Sequence, residues 1–163
     1  MAYQPAFIAN LRSNNCHKRY TKTVTTISYA SIVLIGMVVL TAWGMASAVY
    51  GSGYKKVSDV TQRSCRQMTL FWGIINTVLG LSAVIMIGRA LGSYGSDLPT
   101  QQHAQNLFQF NALLDLGYII VGSGLAYLGK NVSKQRRGYG LAITVQGLVL
   151  LIIDLSLSLV RPF

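Results

Sequence analysis

The sequence predicts an all-α membrane protein, a four-helix transmembrane bundle with a polar inner core, on three observations. Hydrophobic residues make up 52% of the 163 residues. Charged residues make up 11%, less than half of the about 25% typical of soluble domains, so a water-facing surface could not be covered. The chain also contains four apolar stretches, each long enough to cross a hydrocarbon core about 30 Å thick as a helix.

The chain divides into a basic polar N-terminal tail, residues 1–23, and a four-helix transmembrane domain, residues 24–163. Helices are expected because lipid offers no partners for backbone N–H and C=O groups, so each span must satisfy its own hydrogen bonds. Trp43 and Trp72 are expected among the interfacial aromatic residues of these spans. The four helices are predicted at about residues 24–50, 68–91, 106–128 and 139–160.

The positive charge of the chain is interpreted as a signal of membrane topology. The formal net charge is +10, from 14 Lys and Arg against four acidic residues. Basic loops beside apolar spans determine orientation and contact anionic lipids, so we expect membrane lipids as partners and no nucleic acid. Loops one and three together hold eight of the basic residues and the opposite side holds six, which places those two loops in the cytoplasm.

No spacing in the chain predicts an enzyme or a metal site. The sequence has no metal-ligand motif, no phosphate-binding glycine loop and no nucleophile elbow. We therefore expect a non-enzymatic protein with no catalytic residue and no metal, and the sequence leaves any cofactor unknown.

The most informative residues are the polar side chains inside the predicted spans. An ionisable group at mid-bilayer costs at least about 2.5 kcal/mol, so such groups persist when they face the bundle interior and find partners. This reasoning predicts an intramembrane polar core made of Asn76, Arg89, Asn111, Asp115, Gln146 and Asp154.

Depth along the helices sorts these residues into two layers. Counted from the end with loops one and three, Asn76 and Gln146 lie equally deep and are predicted to pair. Asp115 and Asp154 differ in height by about 3 Å at 1.5 Å per residue, and Asn111 and Arg89 are predicted in the same second layer. Three interpretations stay open: hydrogen bonds and an ion pair that fix the bundle, carboxyl groups that relay protons or line an ion path, and a site for a ligand, lipid or pigment.

Three fragments carry a resemblance to a known family. They are W-G-I-I-N in the second helix, N-A-L-L-D-L-G-Y in the third, and Q-G-x-x-L-L-I-I-D in the fourth. Over about residues 36–155 the chain resembles a family of uncharacterised small four-helix integral membrane proteins of bacteroidete-type bacteria, a domain of unknown function. The resemblance implies a bacterial inner (cytoplasmic) membrane and no known activity, and Ser47 stands where it leads us to expect Asn.

These observations predict a small multi-pass membrane protein of non-enzymatic role. We expect a structural or accessory subunit that binds other membrane proteins or itself, because nearly the whole chain is membrane helix. The alternative is a small proton- or ion-translocating protein that uses Asp115 and Asp154.

Overall fold

The computed structural model describes residues 5–92 and 101–160, and their side chains from residue 29 onward, and it confirms the predicted four-helix fold. No strand occurs within these ranges. The side chains of the predicted tail, residues 1–23, lie outside the described residues. The helices are α1 (Pro5–Ser52), α2 (Val60–Gly92), α3 (Gln101–Val132) and α4 (Lys134–Leu159), and a 3₁₀ turn, Gly53–Lys56, follows α1.

Each of the four helices is long and apolar enough to cross a membrane. The helices begin earlier in the chain than the apolar stretches predicted. The α2 helix begins at Val60 and the α4 helix at Lys134, rather than near residues 68 and 139. The reason is that polar turns such as the start of α2 continue the helix beyond the apolar segment. A pattern of apolar residues therefore finds the lipid-spanning part of each helix and not its ends.

The helices pack as two hairpins that meet mainly between α2 and α4. α1 packs against α2, α3 packs against α4, and the contact of α2 with α4 joins the hairpins. Within the described residues, α2 and α3 make no close backbone contact, so a gap remains between them. The 3₁₀ turn after α1 and the single linking residue Ser133 place loops one and three at the same end of the bundle.

Glycines set how closely the paired helices approach. A Cβ atom on Gly122 of α3 would lie 2.7 Å from the Thr144 backbone nitrogen of α4, and one on Gly44 of α1 would lie 2.5 Å from the Thr77 nitrogen of α2. No real side chain fits at these distances. Small residues of this kind allow membrane helices to pack by van der Waals contact without a hydrophobic driving force.

The outer surface of the bundle is apolar, and its interior holds both apolar and polar side chains. Large apolar side chains such as Val49, Ile120 and Leu159 are exposed on the outside, whereas Asn76 and Gln146 are each only 2% exposed. Lipid favours this arrangement, because burial inside the bundle keeps polar groups away from the acyl chains. The outward aliphatic side chains lose no free energy by facing lipid, which is as apolar as they are. The described part of the bundle therefore has an apolar exterior and a polar interior layer.

Candidate functional site

Gln146 of α4 is the centre of the first polar layer. Its side-chain oxygen accepts a hydrogen bond from the Trp43 indole nitrogen at 2.9 Å and another from the Asn76 amide nitrogen at 3.2 Å. Its own amide nitrogen donates to the Ser47 hydroxyl at 3.2 Å. This layer ties α1, α2 and α4 together, and among the described residues none of its buried polar atoms lacks a partner. Such a satisfied network fixes helix register.

Two members of this layer were missed by sequence reasoning. Trp43 was expected in the interfacial belt, and it turns inward because its indole N–H can bond the buried Gln146 amide. Ser47 is buried as the acceptor of that amide, so the layer is complete with serine where we expected asparagine. The available signal was spacing, since residues four apart on a helix share one face.

The second layer brings the two intramembrane carboxyl groups together. Asp115 of α3 is 3% exposed, and Asp154 of α4 is half-buried. Both side chains line one cavity, described below, and are close enough to interact with each other. The Asp115 Oδ2 atom is buried without a hydrogen-bond partner among the described residues. Unlike the first layer, this one retains unused hydrogen-bonding capacity.

The structure leaves Arg89 out of the second layer. Its side chain is exposed near the C-terminal end of α2, and it forms no ion pair with Asp115 or Asp154. The physical reason is that a long side chain near a helix end reaches the polar headgroup level and avoids burial of its charge. Asn111, in contrast, is half-buried and lines the same cavity as the two carboxyl groups.

This cavity, the α2/α3 cleft, occupies the gap between the two helices whose backbones do not approach each other. It has a volume of about 460 Å³ and is lined by all four helices. Most of its wall is aliphatic or aromatic, and its polar side chains include Asn76, Asn111, Asp115 and Asp154. The exposed Leu79 and Leu107 belong to its lining, so the cleft opens on the lipid-facing surface of the bundle.

Two aromatic rings bridge the gap toward one end of the α2/α3 cleft. The Trp72 and Tyr118 rings meet edge to face with centroids 5.1 Å apart. The Trp72 indole nitrogen is buried and has no acceptor among the described residues. Trp72 was expected in the interfacial belt, but it lines the cleft.

A second cavity lies on the other side of the first polar layer. It measures about 380 Å³, lies between α1, α2 and α4, and is named here the loop-one cavity because Tyr50 and Cys65 line it toward loop one. Gln146 lines this cavity, whereas Asn76 lines the α2/α3 cleft. The hydrogen bond between these two amides therefore lies between the two spaces.

The chemistry available at the carboxyl pair is proton exchange or cation binding. Within residues 29–92 and 101–160, no group of three or more His, Cys, Asp or Glu side chains is placed to hold a metal ion. A pair of carboxyl groups in an apolar cleft can exchange a proton or balance one positive charge. These are the two chemical roles that the geometry offers.

The comparison with known proteins agrees with the predicted resemblance. No curated protein and no solved structure matches the chain. One family profile does match, and it covers residues 39–155, which include both polar layers and the α2/α3 cleft residues between them. The chain therefore belongs to DUF6992, a family of unknown function.

Proposed function

We propose that this protein is a non-enzymatic, multi-pass protein of the bacterial inner membrane that passes protons through its bundle. The observation that carries the proposal is the position of the Asp115–Asp154 pair. The pair lines a cleft that is separated from the loop-one cavity by a hydrogen bond between Asn76 and Gln146. The protons would be exchanged at the carboxyl pair.

The two polar layers support different roles. The Gln146 layer is satisfied, as expected of groups that hold helices together. The carboxyl pair has an unpartnered buried oxygen, and a purely structural role would leave such a group at a cost. Two neighbouring carboxyl groups in an apolar cleft favour one proton between them, because two like charges there repel each other, so the pair is suited to take up and release a proton.

Proton passage requires the partition between the cavities to open. The Asn76–Gln146 contact is 3.2 Å long, and the accepting oxygen is shared with Trp43. In the proposal, a rearrangement of α2 against α4 that breaks this bond lets water connect the carboxyl pair with the loop-one cavity.

The proposed orientation has loops one and three in the cytoplasm. The eight basic residues of those loops lie at one end of the bundle, where the positive-inside rule favours the cytoplasmic side. A cysteine placed at the exposed Ser58, in a chain otherwise free of cysteine, would be protected from an impermeant maleimide in intact spheroplasts. Labelling before permeabilisation would show that loop one lies outside the cytoplasm, opposite to the proposed orientation.

Proton flux through proteoliposomes tests the proposal. The full chain is reconstituted with a trapped pH indicator, and a potassium diffusion potential drives proton entry. We expect faster acidification than in empty vesicles, with the excess lost in Asp115→Asn and Asp154→Asn, because an amide cannot exchange the proton.

The matched control for this assay is Asp59→Asn. Asp59 lies in loop one and accepts the Gln62 backbone N–H at 2.8 Å, a cap that asparagine also makes. This variant removes one carboxylate far from the cleft and should keep full flux. No flux in the unaltered chain would reject the proposal, and so would flux in both cleft variants as fast as in the unaltered chain.

Association within the membrane is a second candidate role, favoured by the outward face of α3. Gly117 and Gly124 lie on this face with open space where a Cβ atom would stand. They alternate with Leu113 and Ile120, which are 67% and 72% exposed. Small residues at this spacing let a second helix approach closely, so this face is suited to a further copy of the chain or another membrane subunit.

The association is tested by measuring the oligomeric state in nanodiscs and the proteins that co-purify. Gly117→Leu and Gly124→Leu should abolish association by filling the open space. Gly88→Leu is the matched control, because Gly88 is an equally open glycine on α2. A monomer without partners, or association unchanged by both α3 variants, would exclude this role.

A further inference from the structure

We infer that the α2/α3 cleft binds a lipophilic amine that enters from the bilayer, its ammonium group at the Asp115–Asp154 pair and its apolar body along the cleft wall. The inference rests on the proposed function in that the same carboxyl pair would exchange a proton or hold the amine. It adds a class of ligand to that site.

The shape of the cleft indicates a small molecule. Its volume of about 460 Å³ falls in the range typical of small-molecule sites, about 300–1,000 Å³. Exposed leucines at its mouth, Leu79 and Leu107, face the acyl chains. A ligand with an apolar body would reach the cleft sideways through lipid, without crossing the satisfied Gln146 layer.

The charge of the cleft selects a cation. Its wall contains two carboxyl groups and no lysine or arginine among the described residues. The other titratable side chains that line it are His103 and Tyr118, and Arg89 is exposed outside it. With one proton between the two carboxyl groups, the pair carries a single negative charge, which one ammonium group would balance. An anionic head would be repelled by this charge.

The two carboxyl groups and two aromatic rings support an organic cation over a metal ion. The Asp115 and Asp154 side chains line the cleft, and their oxygens would accept ammonium N–H groups. The Trp72 and Tyr118 rings at the same cleft offer cation–π contact. A divalent metal would need about six oxygen ligands, which this mainly aliphatic wall does not supply.

A series of ligands that share one apolar body tests the inference on the unaltered chain. The full-length protein in nanodiscs is equilibrated with octylamine, octanol or octanoate, and retained ligand is measured against empty nanodiscs of the same lipid. We expect saturable binding of octylamine, at least about tenfold tighter than octanol, because charge-assisted hydrogen bonds contribute about 1.5–3 kcal/mol. Octanoate should show no binding above the empty nanodiscs.

Substitutions of the two aspartates test whether the bound amine lies at the carboxyl pair. The double variant Asp115→Asn with Asp154→Asn removes both carboxyl groups and should weaken octylamine binding by about tenfold, whereas Asp59→Asn should leave it unchanged. Equal binding of octanol and octylamine, preference for octanoate, or retention of octylamine binding by the double variant would overturn the inference. Binding is measured without a pH gradient and flux without amine, so failure of one experiment is distinguishable from failure of the other.

Discussion

Replacing Gln146 with leucine removes the centre of the first polar layer with little change in side-chain volume. Three hydrogen bonds are lost, from Trp43 and Asn76 to the side-chain oxygen and from the amide to Ser47. At about 0.6 kcal/mol for each interhelical bond, the expected loss is about 2 kcal/mol of unfolding free energy, or about thirtyfold in the equilibrium constant. The cost rises further if the donors left behind stay buried without partners.

The assay is reversible unfolding in mixed micelles, followed by helical circular dichroism as the fraction of denaturing detergent increases. Gln109→Leu is the matched control, because Gln109 lies exposed on α3 and makes no hydrogen bond in the described residues. This control should change stability by less than about 0.5 kcal/mol. If Gln146→Leu is as stable as the control, or more stable, the layer does not hold the helices together.

The remaining predictions concern the close packing of α3 against α4 and the exposed position of Arg89. Gly122→Ala should destabilise the bundle by about 1–3 kcal/mol, because the new Cβ atom would clash with the Thr144 backbone. Gly124→Ala should leave the stability unchanged or raise it slightly, because the space around Gly124 is open. Melting both variants in one detergent tests the pair, and equal destabilisation would contradict the close approach. Arg89→Gln should change stability by less than about 0.5 kcal/mol, because the exposed arginine makes no ion pair with the described residues. A loss of several kcal/mol would instead support the predicted internal ion pair.

The fold could be predicted because lipid restricts the choices. A chain with so few charges and four long apolar stretches can only place helices across a membrane. Depth counting correctly brought Asn76 level with Gln146, because residues on neighbouring helices with equal distance from the same loop end lie at equal height. Helix ends such as Val60 could not be predicted, since polar residues continue a helix beyond the lipid without changing its backbone.

The site could be predicted only in part. The carboxyl pair follows from depth and the cost of charge in lipid, but the gap between α2 and α3 depends on which helices touch, and apolar periodicity does not specify that. Arg89 was misplaced because its depth was counted from its backbone, whereas its long side chain lies exposed. Trp43 and Trp72 were assigned to the interface by residue type, yet both turn toward the interior of the bundle.

The central claim is that Asp115 and Asp154 form a carboxyl pair that holds a proton inside the bundle. Infrared spectroscopy of the reconstituted protein tests it most directly, because the chain has four aspartates and no glutamate and so few carboxyl groups contribute. We expect the carbonyl band of a protonated carboxyl group, lost in Asp115→Asn and in Asp154→Asn and kept in Asp59→Asn. Absence of the band, or its survival in both cleft variants, would show that the pair holds no proton.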